Sequence, residues 1–177
     1  MRRTMHRNAQ SLNHLVNVLC EAKRLEDAEM LYRDPLKMRE KTLVRGHRDI
    51  ASTLSNLANV LQQTNRPTEV EQLYRRSLNV RRKAYGPRHE NVTMCLNNIA
   101  ILMQNSGRVT LSERYFKMAL AMLDEKVRVA HPLTAYTRAD FADLLPLAGR
   151  TSESLFVAQQ AYRHMCEVLP EKHRYIR

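Results

Sequence analysis

The chain rewrites one passage at a fixed interval of 42 residues, and this recurrence constrains its fold more than any single residue does. The stretch His47-Arg-Asp-Ile-Ala-Ser-Thr-Leu-Ser-Asn-Leu-Ala58 returns as His89-Glu-Asn-Val-Thr-Met-Cys-Leu-Asn-Asn-Ile-Ala100. A weaker copy begins at His131 and reaches Phe141-Ala142, and His173 keeps the interval once more. Residues 12–46 carry the same pattern without a leading histidine. A period of this size is the signature of stacked, near-identical supersecondary units, each unable to bury its apolar face alone.

Each unit reads as a pair of helices. After His47, Asp49 is placed to cap a first helix, and Leu54, Leu57, Ala58 and Leu61 fall at i, i+3, i+4 and i+7. Thr64-Asn65-Arg66-Pro67 ends it, and Pro67 suits the first position of a second helix. There Val70, Leu73, Tyr74, Ser77 and Leu78 make the next stripe, closed by Gly86-Pro87. The following copy aligns without gaps: Leu96, Ile99, Ala100 and Met103, then Ser106-Gly107-Arg108, then Ser112, Tyr115, Phe116, Ala119 and Leu120. An arginine follows the inter-helix turn in all four copies, at Arg24, Arg66, Arg108 and Arg150. Ala58, Ala100 and Ala142 mark the close approach of paired helices, and Tyr32, Tyr74 and Phe116 are the large knobs between neighbours. Pro35 and Pro146 are expected inside helices, where each removes a backbone hydrogen bond and introduces a kink. Arg138 stands where the other copies have Leu12, Leu54 and Leu96, so the last pair is expected to pack less well.

Composition agrees with helices: four glycines, six prolines, no tryptophan, and many residues of good helix propensity. No apolar run approaches the roughly 20 residues that cross a bilayer, and the start of the chain lacks an apolar signal core. Three cysteines, Cys20, Cys95 and Cys166, make an odd count without CxxC spacing, which favours reduced thiols and a cytoplasmic setting.

A length of 42 also suits HEAT and armadillo arrays, but the internal pattern differs from theirs. Leu54-x2-Leu57-Ala58-x2-Leu61 followed by Val70-x3-Tyr74 and Ser77 resembles the tetratricopeptide repeat. The opening from His47 to Ala58 and the ending from Leu73 through Gly86-Pro87 to His89 resemble the 42-residue variety found in kinesin light chain and its relatives. The heptad-bearing segment with which kinesin light chain binds its motor has no counterpart here. The resemblance implies an all-α, right-handed superhelical solenoid of about four stacked antiparallel helix pairs. The expected organisation is a first repeat with an N-terminal extension over 1–46, repeats at 47–88, 89–130 and 131–172, and a truncated start or tail at 173–177. It also implies a protein-interaction module without catalysis, an adaptor that takes an extended peptide of a partner into a concave groove.

The first helices should line that groove, and the positions between their apolar stripes are polar. These are Asn13, His14 and Asn17; Ser55, Asn56 and Asn59; Asn97, Asn98 and Ile101; Asp140 and Asp143. A carboxamide offers both donors and an acceptor, so it can pair with another chain's backbone whatever its side chains. The resemblance gives Asn56 and Asn98 this role. The plainer alternative is a solvated polar helix face. No Lys or Arg falls in the set, and its two carboxylates suit a ligand with a basic or amine-bearing end rather than an acidic motif.

The formal charge of +11 attracts nucleic acid or acidic partners at long range without specifying a fold. Its carriers, Lys37, Arg39, Lys41, Arg75, Arg76, Arg81, Arg82 and Lys83, fall on second helices, hence on the expected outer face. They lack interleaved aromatics, so nucleic acid is disfavoured as a partner. Self-association through the array ends is a further alternative. The periodic histidines stand too far apart to share one metal, since adjacent helices pack about 8–10 Å apart and zinc ligands lie about 2 Å from the ion. Capping or loop packing is the reading for them. No nucleophile stands with a base and no glycine-rich phosphate loop is present, so neither enzymatic activity, a cofactor nor a metal is expected.

Overall fold

The computed structural model describes residues 2–44, 46–64, 66–124 and 132–168, with side chains from Ser11 onward. His131 and His173 lie outside the described residues. Eight α-helices and one 3-10 turn make up the described regular structure: α1 (Arg2–Glu21), α2 (Leu25–Thr42), α3 (Arg48–Leu61), α4 (Pro67–Tyr85), α5 (Glu90–Asn105), α6 (Val109–Asp124), α7 (Pro132–Leu144), the turn Leu145–Ala148, and α8 (Thr151–Val168). They fall into two compact units, Met1–Ala84 and Tyr85–Arg177, each holding two helix hairpins.

In unit 1 the hairpin of α1 and α2 packs through α2 on α3. Ala28, Tyr32 and Leu36 of α2 are buried, and so are Leu54, Leu57, Ala58 and Leu61 of α3. In unit 2, α5 pairs with α6, α7 with α8, and α6 meets α7. Ala100, Phe116, Phe141, Leu144 and Leu145 form one apolar cluster there. At two of the close approaches a serine of the second helix bonds the alanine's backbone: Ser112 Oγ donates to the Ala100 carbonyl at 2.7 Å, and Ser154 Oγ to that of Ala142 at 2.8 Å. A larger residue at either alanine would force the paired helices apart.

The leading histidine, rather than the expected Asp49, is the cap. His47 has extended backbone and its Nδ1 accepts the Asp49 N–H at 3.2 Å; His89 Nδ1 accepts the Asn91 N–H at 3.1 Å. An imidazole nitrogen thus does for these helices what a Ser or Asp side chain usually does. Asp49 sits in the first turn, where its charge suits the helix dipole. His89 also stacks on Tyr85, with ring centroids 4.5 Å apart.

The turns of the α1–α2, α5–α6 and α7–α8 hairpins each hold one left-handed residue at a common place. Gly107 and Gly149 supply it at φ 71° and 74°, whereas the register puts Lys23 there, at φ 59°. Helix α2 continues through Pro35. Pro146 departs from expectation: α7 stops at Leu144, and the proline lies in the 3-10 turn that follows, where a missing N–H costs little.

The repeated arginine has a structural task that its period alone did not reveal. In unit 1, Arg66 donates to Glu29 at 2.8 and 3.1 Å and to Glu69 at 2.5 and 2.9 Å, while Arg33 reaches Glu69 at 2.6 Å and also pairs with Glu29. In unit 2, Arg150 donates to Glu113 at 2.5 Å and to Glu153 at 2.6 and 2.7 Å. Each clasp ties the turn of one hairpin to the second helix of the hairpin before it. Burial raises the pKa of Glu29 and Glu69, but hydrogen bonds from Arg66 and Arg33 outweigh it and leave both below the usual carboxylate range. Hydrogen bonds from Lys117 and Arg150 lower that of Glu113.

Candidate functional site

Within unit 1, the amides of α1 and α3 meet. Asn13 is exposed, and its Oδ1 accepts from the Tyr32 hydroxyl at 2.6 Å and from Asn56 Nδ2 at 3.4 Å. The Tyr74 hydroxyl donates to Asn59 Oδ1 and accepts from Gln62 Nε2. The tyrosine rings are core knobs, buried at 5% and 0% exposure, yet their hydroxyls reach the polar face and orient its amides. Burial raises the pKa of Tyr32, consistent with a neutral hydroxyl that donates. His14 and Asn17 are exposed. Ser55 is not available on this face. It is buried at 5% exposure, its Oγ lies 2.8 Å from Ser77 Oγ, and Arg81 donates to it at 3.4 Å.

Unit 2 repeats the arrangement with different chemistry. Asn97 Nδ2 donates to Asp140 Oδ2 at 2.7 Å, across the same 43-residue separation that joins Asn13 to Asn56. Asn97 is itself buried, at 8% exposure, so it too departs from the expected open position. Asn98, Ile101 and Asp140 are half-buried, and Asp143 is exposed. Burial pushes the Asp140 pKa up; the Asn97 hydrogen bond opposes this, and the charge of Asp143 adds to it. The residue in the register of Tyr32 and Tyr74 is Phe116, which has no hydroxyl. Asn97 Oδ1 is buried and has no hydrogen-bond partner among the described residues.

Of the eight basic residues expected on the outer face, Arg39 and Arg81 are instead drawn into the packing. Arg81 is buried at 8% exposure and donates to Ser77 at 3.3 Å. Arg39 is half-buried and binds Thr53 Oγ1 and the Asp49 carbonyl. Both belong to the packing, because a long guanidinium stem can fill space while its fork satisfies polar atoms. Arg75 pairs with Glu71 at 2.7 Å and Arg76 with Glu40 at 2.5 Å. Lys41, Arg82 and Lys83 remain exposed, as does Lys37, whose Nζ is 3.9 Å from Asp34. Arg138 is half-buried, 2.9 Å from His164 Nδ1, and α8 leaves Leu155, Phe156 and Tyr162 exposed at 63%, 60% and 55%. Among the described residues, no three or more His, Cys, Asp and Glu gather as a metal site, and no helix is long and apolar enough to cross a membrane.

Sequence reasoning missed the tyrosine hydroxyls, having treated Tyr32, Tyr74 and Phe116 as equivalent knobs. The signal was present: in unit 1 an asparagine lies 19 residues before Tyr32 and another 15 before Tyr74.

The class defined by this geometry is an all-α array of helix hairpins with amide-bearing first helices. The tetratricopeptide repeat family matches residues 7–83 and 49–125. The chain belongs to that family. Among solved structures it is similar to a Podosopora anserina protein assigned as a kinesin light chain with nearly identical TPR-like repeats. The TM-score is 0.76 at 17% identity, over 96% of this chain and 80% of that one. A point variant of the same protein gives 0.76 at 16% over the same shares. BtubC (BKLC) from P. vanneervenii gives 0.76 at 18%, over 92% of this chain and 66% of that one. These likenesses establish a shared fold. No curated protein matches the sequence.

Proposed function

We propose that the chain is a non-catalytic adaptor that holds an extended segment of a partner protein against its first helices. Tetratricopeptide arrays are protein-interaction scaffolds in general, and one observation carries the finer reading. Amides recur at matched places, Asn13 with Asn97, Asn56 with Asn98 and Asn17 with Asn59, and in unit 1 buried tyrosine hydroxyls hold Asn13 and Asn59 in place. A solvated face has no use for oriented amides, since water accepts any orientation. Oriented donors and acceptors lower the ordering cost of binding a peptide backbone. His14, Asn17, Asp140 and Asp143 extend the contact set; Ser55 and the buried Asn97 support it from behind. The free thiols of Cys20, Cys95 and Cys166 suit a cytoplasmic setting.

The test is capture of partners from lysate by the intact chain and by an Asn56→Ala/Asn98→Ala variant. The variant should lose at least tenfold of the specific prey at unchanged helicity. Equal prey in both samples would remove the peptide-holding role.

The exposed Leu155, Phe156 and Tyr162 favour a second reading, in which two copies of the chain associate through α8. Light scattering that stays at monomer mass across a hundredfold range of concentration would exclude it. The basic second helices favour nucleic acid less, because Arg39 and Arg81 are already engaged in packing.

A further inference from the structure

We infer that α8 is the seam of a homodimer, in which two copies of the chain pair their α8 helices antiparallel about the point between Ala158 and Gln159. The inference rests on the second reading above, association through α8, and adds the face, the direction and the stoichiometry. The peptide-holding role of the first helices stands apart from it.

The face in question is one that the fold covers elsewhere. On α2, Tyr32 and Leu36 are buried where α3 packs. On α6, Phe116 and Leu120 meet Phe141 and Leu144 of α7. The same register on α8 holds Ala158 and Tyr162, both exposed, and the exposed Leu155 and Cys166 continue the line. Residues 155, 158, 162 and 166 stand at i, i+3, i+7 and i+11, along one side of a helix. Charge is also withdrawn from α8. Glu153, Arg163 and Glu167 are its three formal charges in 18 residues, against nine in the 18 of α2, and depletion of charge marks the core of an interface.

The occupant is not another hairpin of this array. Glu29 and Glu113 each accept the arginine of the hairpin that follows, and Leu155 stands at their register. A second copy stacked head to tail would bring its Arg24 to that leucine, where a cation loses hydration without gaining a carboxylate. A second α8 fits without this penalty. Antiparallel pairing sets Leu155 across from Tyr162 of the second copy, and the twofold axis makes that contact twice. It sets Glu153 near Arg163 of the second copy, whereas a parallel pair would set Glu153 against Glu153. Ala158 lies at the crossing, where a small side chain lets two helices approach to about 8 Å. One helix pair buries less than the roughly 1,200 Å² of a standard interface, so the dimer is weak and reversible.

Sedimentation equilibrium of the full-length chain, carried into the high micromolar range, should show monomer and dimer with nothing heavier. Leu155→Glu, which installs the side chain that Glu29, Glu71 and Glu113 carry at this place, should weaken the dimer at least tenfold at unchanged helicity. Phe156→Glu, about 100° round the helix, should change it less than twofold. A short thiol cross-linker, with its links mapped by mass spectrometry, should join two copies of Ala158→Cys through position 158. It should leave Cys166 of one copy unjoined to Cys166 of the other, since antiparallel pairing holds them about 22 Å apart. Masses beyond two copies, or Cys166–Cys166 links as abundant as those at position 158, would overturn the inference. A dimer that survives Leu155→Glu keeps association through some other surface and removes this seam; monomer mass throughout removes both. Lysate prey that a monomeric chain loses on Leu155→Glu would give the face to another protein.

Discussion

The two units solve one packing problem with different polar chemistry. In unit 1 the Tyr32 hydroxyl, Asn13 and Asn56 close a neutral hydrogen-bonded chain. In unit 2 the same register holds Phe116, Asn97 and Asp140, which leaves one acceptor orphaned and one carboxylate without a counterion. Equivalent helices therefore do not make equivalent sites: unit 1 is complete by itself, whereas unit 2 is short of donors. Buried polar groups that a fold does not satisfy are where function is most economically sought.

The largest effect that separates shared architecture from divergent chemistry is acid titration of the arginine clasps. Glu29, Glu69 and Glu113 have folded pKa values below the ordinary 4.5. Their contribution is thus complete above about pH 4.5 and is lost as pH falls through the depressed folded values. Asp140 has the opposite sign. Its folded pKa lies above the ordinary 3.8, so its contribution is complete below that value and is lost as pH rises through the folded one. Urea melts between pH 7 and 3 should show both units destabilised by acid. Glu29→Gln should flatten the profile of the chain, at a cost of about 1–2 kcal/mol at neutral pH, less than a buried charged pair because Arg66 stays partly exposed.

Next in size is a reciprocal exchange. Tyr32→Phe should cost about 1 kcal/mol by removing a donor from Asn13, and Phe116→Tyr should gain up to about 1 kcal/mol by supplying one to Asn97. Effects of the same sign would show that the hydroxyls do not account for the difference between the units. Smallest is Lys23→Gly. It relieves a left-handed residue where unit 2 uses Gly107 and Gly149, with an expected gain below about 1 kcal/mol after the glycine's greater unfolded-state entropy is counted. Thermal melts resolve this as a shift of a few degrees.

The helices and their family were legible because a repeated apolar stripe carries the same information several times. Leu54, Leu57, Ala58 and Leu61, with Leu96, Ile99, Ala100 and Met103, are all buried as the spacing requires. The site was legible in part. Asn56 and Asn59 lie on the accessible side of α3, but Ser55 and Asn97 are covered although Asn13 in the same register is exposed, and a helix face one residue wide cannot be read from periodicity to better than its neighbours. Capping was legible in part: the capping role read for the periodic histidines holds at His47 and His89, whereas Asp49 lies two residues inside the cap it was expected to form. The clasps were missed because they pair residues 37 apart, and Glu29 and Glu113 acquire meaning only once the arginine of the next hairpin is placed beside them.

The most direct measurement is the side-chain amide spectrum of the ¹⁵N-labelled chain, recorded free and with a segment recovered from a captured partner. Oriented amides that grip a backbone predict large shifts at Asn56 and Asn98, with the α4 residues Arg82 and Lys83 unmoved. Shifts confined to those basic residues, with every asparagine amide unchanged, would contradict the account.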